Sequence, residues 1–90
     1  MKINYNMKNA YIDAVDSNVN VLNQIRTGIK KLGKDPGLEI LVEHSLALNS
    51  RLKMLIENDA DHQAILNILI EITMIGADIQ TLIDARKANV

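Results

Sequence analysis

The chain has no cysteine, no tryptophan and no phenylalanine, and its only aromatic side chains are Tyr5 and Tyr11. Without cysteine there is no disulfide framework and no thiolate chemistry, which fits a reducing compartment. Without more aromatics there are no platforms on which bases could stack. A surplus of one charge is also lacking. The 10 lysines and arginines stand against 11 aspartates and glutamates, a net of −1, so the electrostatic footprint of a nucleic-acid binder is missing. Uninterrupted apolar runs fall far short of the roughly 20 residues that a bilayer needs, and Glu71 breaks the most apolar segment, so no membrane span is expected. Residues 1–6 hold no apolar run of the secretory type. These absences predict a soluble cytoplasmic protein. A composition rich in asparagine, isoleucine and lysine points to an AT-rich genome, bacterial or phage.

What is present is aliphatic. Hydrophobic residues make up 48% of the 90, almost all isoleucine, leucine, valine, alanine and methionine, the palette of helix bundles. From Asp61 to Arg86, Ile65, Ile68, Ile72, Ile75, Ile79 and Leu82 recur at alternating steps of three and four, the seam of a helix packed on other helices. Leu69 and Gly76 widen that face. Leu66, Ile70, Met74 and Ala77 form a second strip, leaving only a sliver with Asn67, Glu71 and Asp78. A helix apolar nearly all round predicts partners nearly all round, and so the central helix of a bundle.

The spacing predicts helices over about residues 6–32, 36–57 and 60–87. The first carries Met7, Tyr11, Val15, Leu22, Ile25, Ile29 and Leu32 on one stripe, with Ala14 and Val19 on its flanks. Lys30, Lys31 and Lys34 complement the negative end of its dipole, and Gly33 suits the position that closes it. Asp35 can cap the second helix, with Pro36 in its first turn. That helix turns Leu38, Leu41, Leu48, Leu52 and Leu55 one way, helped by Val42 and Ile56. Asn58 or Asp59 can cap the third helix. Two short connections imply antiparallel neighbours, hence one all-α domain, an up-down-up three-helix antiparallel hairpin. Ile40, Ala47 and Met54 on the second helix, and Leu66, Ile70 and Met74 on the third, are left without a partner in one such hairpin. Exposed strips of that extent mark association surfaces. The expectation is a helical bundle completed by self-association, a homodimer first, through these six residues.

Few residues carry candidate chemistry. His44, beside Glu43 and near Arg51, lacks the ligand count of a metal site, and no Glu-x-x-His pair of the di-iron bundle type occurs. Asp59, Asp61 and His62 crowd one turn, where capping already calls for acidic groups, and their spacing fits no calcium loop. No cofactor or metal is expected. Asn18 sits inside the apolar stripe of the first helix, where a buried amide fixes register and oligomer state or lines a polar pocket. Glu71 either marks a solvated edge or pairs with Arg26, Arg51 or Lys53. Gly28 and Gly76, inside helices, suggest close helix approach. The chain lacks a phosphate-cradling loop, a nucleophile elbow and a Cys/His pair.

The function predicted is therefore non-catalytic: an interaction module such as an inhibitor, immunity factor, adaptor or assembly subunit, presenting apolar helix faces to a protein partner. The run Ile12-Asp13-Ala14-Val15-Asp16, followed by Leu22 and Arg26, broadly resembles the first helix of the chorismate mutase family. That resemblance implies a dimeric helical enzyme whose anionic ligand would meet Arg26 and Arg51, with Lys34 near. Lys8 and Asn9 stand where that family has an early arginine.

Overall fold

The computed structural model describes residues 5–32 and 35–88, with side chains for 7–31 and 35–87. Its helices are α1 (Tyr5–Leu32), α2 (Pro36–Glu57) and α3 (His62–Ala88), joined up-down-up. The particle measures 47 × 19 × 17 Å, about as long as its longest helices at roughly 1.5 Å per residue.

Local chemistry sets each start and stop. Asp35 caps α2 as expected: its Oδ1 accepts from Leu38 N at 3.2 Å, and Pro36 occupies the first turn. Arg86 near the end of α3 lies 3.5 Å from the other Asp35 oxygen, which ties the two helices at that end. Gly33 and Lys34 fall outside the described residues, as does the Leu32 side chain. The second connection differs from expectation. Asn58 caps the end of α2, not the start of α3, its N–H and its side-chain amide both donating to Met54 O. Asp59 takes the left-handed conformation (φ 54°) that usually falls to glycine, and aspartate tolerates it better than most residues. Asp59 N donates to Ile56 O and Ala60 N to Leu55 O, the paired bonds of a Schellman closure. The turn thus uses residues 58–61, and α3 begins at His62, two residues later than expected. Its first helical bond, Ile65 N to Asp61 O at 3.2 Å, makes Asp61 the capping position.

The core lies along α2. Leu38, Val42, Leu52 and Ile56 are buried from this helix, Val15, Leu22 and Ile29 from α1, and Ile65, Ile68 and Ile79 from α3. They form two apolar clusters, one around Leu52 and Ile65 and one around Val42 and Ile29. Each fully buried aliphatic side chain contributes about 1.5–3 kcal/mol of transfer free energy.

α2 packs against both neighbours, whereas no Cα of α1 comes within 8 Å of α3 among the described residues. The expectation of a central third helix is therefore corrected, because the central helix is α2. Among the described residues the backbone of α3 comes close to that of α2 alone, and only 17% of its most apolar stretch is buried. By length and composition α3 is long and apolar enough to cross a membrane, but it carries Glu71 and Asp78, and its Ile65, Ile68 and Ile79 are packed inside the bundle.

Candidate functional site

Because α1 and α3 stand apart across α2, an apolar groove runs between them. Its α1 wall is Tyr11, Ala14, Asn18, Val21, Ile25 and Gly28, and its α3 wall is Leu69, Thr73, Gly76, Gln80, Ile83 and Lys87. Both walls keep the alternating steps of three and four that let helices interlock. Three hollows of about 220, 320 and 400 Å³ follow one another along it. Asn18 is shared by the first two and Ile25 by the last two, so they form one channel. Among the described residues, the only charged ones lining these hollows are Arg86 and Lys87, at the C-terminal end of α3.

The floor is polar at one level. Asn18 Nδ2 donates to Asn49 Oδ1 at 3.0 Å, and Asn49 Nδ2 donates to Ser45 O at 2.7 Å. Asn49 and Ser45 are each only 1% exposed, so this bond network is what makes their burial tolerable. It separates the two apolar clusters. Asn18 is half-buried, and among the described residues its side chain makes this one hydrogen bond, leaving a polar spot halfway along the groove.

On the outer side of α3, Leu66, Ile70 and Met74 are exposed and line a shallow hollow of about 240 Å³ together with Leu69 and Thr73. Leu69 and Thr73 also belong to the groove wall, so the strip and the groove make one continuous surface. Ile40, Ala47 and Met54 are exposed as well, but at 100° per residue they lie opposite the core-facing line of α2 and form a separate face. The two strips expected to mediate association, one on α2 and one on α3, therefore lie on separate faces.

The remaining candidates scatter. Arg26 donates to Glu43 at 3.1 Å and to Asn23 at 2.7 Å, and lines a hollow of about 210 Å³ with Lys30, Glu39 and Glu43. Arg51 is exposed and does not line that hollow. Glu71 is exposed, and two of the partners considered for it are engaged elsewhere, Arg26 with Glu43 and Lys53 with Asp16. His44 is exposed, and no group of three His, Asp or Glu side chains among the described residues is placed to hold a metal. Gly28 and Gly76 do not mark close approach within the chain. A Cβ added at either would meet nothing within 4 Å.

Sequence reasoning missed Ser45 and Asn49, although a signal was there. Leu38, Val42, Ser45, Asn49, Leu52 and Ile56 keep one four-three spacing, and choosing the apolar residues alone hid the two polar ones within it. Comparison with protein-family models, curated proteins and solved structures finds no match to this chain.

Proposed function

We propose that the protein is a small cytoplasmic helical interaction module, non-catalytic, which acts by packing its apolar helix faces on protein helices and associates with itself. The single observation that supports this reading is the continuous, largely apolar surface formed by the α1–α3 groove and the Leu66, Ile70 and Met74 strip, charged only where Arg86 and Lys87 line one end. The cores of protein interfaces are depleted of charge and enriched in such side chains, and exposed apolar surface of this extent is uncommon on proteins that act alone. The mechanism is helix-on-helix packing, with Ile70 and Met74 as anchors. Ile40, Ala47 and Met54 offer a second, separate face to a further protein.

Light scattering across a dilution series tests it. The parent chain should have the mass of two chains, and Ile70→Glu and Met74→Glu should reduce it to one without loss of helicity. Unchanged mass and unchanged partner binding in both variants would defeat the reading.

A further inference from the structure

We propose that the groove between α1 and α3 receives α3 of a second copy running antiparallel, so that each copy closes the other's groove. This rests on the association reading above and adds the occupant, its direction and its register.

The shapes match under a two-fold axis. Leu66, Ile70 and Met74 project from α3, with Met74 65% and Ile70 57% exposed. Gly28 and Gly76 are gaps in the groove walls, where an added Cβ would touch nothing. Interior glycines weaken a helix relative to alanine, and the single chain gives nothing in return at either position. An axis at the level of Ile75 relates the two sets. It places Met74 of one copy beside Gly76 of the other. Ile83, which shares a hollow with Gly28, stands about as far beyond Ile75 as Leu66 stands before it. Leu66 of the partner subunit then enters the hollow at Gly28. Thr73, Gly76 and Ala77, all small, lie where α3 crosses its copy, and Asn18 is sealed from water at the same level.

Area and charge point to a second copy as the occupant. The chain exposes 6158 Å², against about 5,200 Å² for an ordinary folded monomer of 10.0 kDa. The excess, roughly 900 Å², is close to the ~800 Å² that each partner buries in a standard interface. Lys30, Lys31, Arg86 and Lys87 outnumber Asp35, Glu39 and Asp84 at one end of the bundle, and Glu57, Asp59 and Asp61 outnumber Lys8 at the other. Antiparallel copies set the basic end beside the acidic end, while parallel copies would oppose like charges.

The absence of native cysteine makes the test direct. Gly28→Cys and Leu66→Cys are made as separate full-length variants, mixed, and treated with a short bismaleimide, with mass in solution followed in parallel. The expected result is a two-chain product from this mixture and none from Gly28→Cys mixed with Ile40→Cys, whose thiol lies on the back of α2. Gly76→Leu should keep the helicity and weaken dimerisation at least tenfold. A dimer that gives no 28–66 product overturns this arrangement and leaves association through helix faces standing. A single-chain mass at every concentration overturns the arrangement together with self-association, and leaves the groove to another protein's helix.

Discussion

On the flank of α1 that meets α2, polar side chains reach across. Lys8 donates to Glu57 O and pairs with Asp59 at 3.2 Å, Lys53 pairs with Asp16 at 3.1 Å, and Arg26 with Glu43 at 3.1 Å. Beneath them Val15, Leu22 and Ile29 are buried. On the flank that faces α3, the same helix presents Tyr11, Ala14, Val21, Ile25 and Gly28 to an open channel. The first flank has the anatomy of a finished interface, an apolar centre inside a polar rim. The second has the centre and no rim. Exposed ion pairs add little net energy, so the rim serves mainly to set direction and register. Burial supplies the energy, and on the groove side that term is only partly used within one chain, with Tyr11 and Ile25 half-buried and Ala14 and Val21 exposed.

The largest expected effect separates these flanks by substitution. Leu52 is 2% exposed beneath the closed side, and Leu52→Ala should cost about 2–5 kcal/mol from lost transfer energy and the cavity left behind. For a domain of this size each kcal/mol corresponds to roughly 4–8 °C in Tm. Ile70→Ala, on the open side, should change the stability of the single chain by no more than about 0.5 kcal/mol. Thermal unfolding followed by circular dichroism at high dilution measures both. Equal losses for the two variants would mean that Ile70 is covered within the monomer and that the contrast is false.

The architecture was readable in the sequence because helix punctuation and apolar spacing are local signals. Asp35-Pro36 starts α2, and the isoleucine seam of α3 packs inward, with Ile65, Ile68 and Ile79 buried. Which helix stands at the centre was not readable that way. α3 has the more apolar sequence, yet α2 occupies the middle because it is antiparallel to both neighbours and short turns hold it beside each. Hydrophobicity measures how much a helix can bury, while connectivity decides what it meets. The polar layer escaped for a related reason. Asn18 stood out as an interruption in a stripe, but its partner Asn49 becomes visible only when face geometry outranks residue type. That layer gives the intermediate effect. Asn49→Ala should cost about 1–3 kcal/mol, since it strands the Asn18 amide and loses the bond to Ser45 O. Replacing both asparagines by leucine should cost much less than the sum of the two single changes, because no half-satisfied amide remains. Additive losses in denaturant titrations would show that Asn18 and Asn49 act independently.

The smallest effect concerns the rim itself. The hydrogen bond from Lys53 to Asp16, and then the attraction between their charges, raise the Lys53 pKa above its ordinary value. A lysine whose pKa is higher in the folded state stabilises the fold at all pH values below its unfolded pKa, about 10.4. That contribution disappears as the pH climbs through the raised folded value. Asp16→Asn should therefore give a small fall in Tm at pH 7, and the gap between variant and parent should close on the alkaline side, above about pH 10.4. High salt should narrow the gap at pH 7 as well, because both side chains are well exposed and screening acts on them directly. A gap that persists at high pH and in salt would assign the loss to packing by Asp16. The polar rim would then fasten α1 to α2 by shape and not by charge, and the contrast between the two flanks would rest on the buried apolar centre alone.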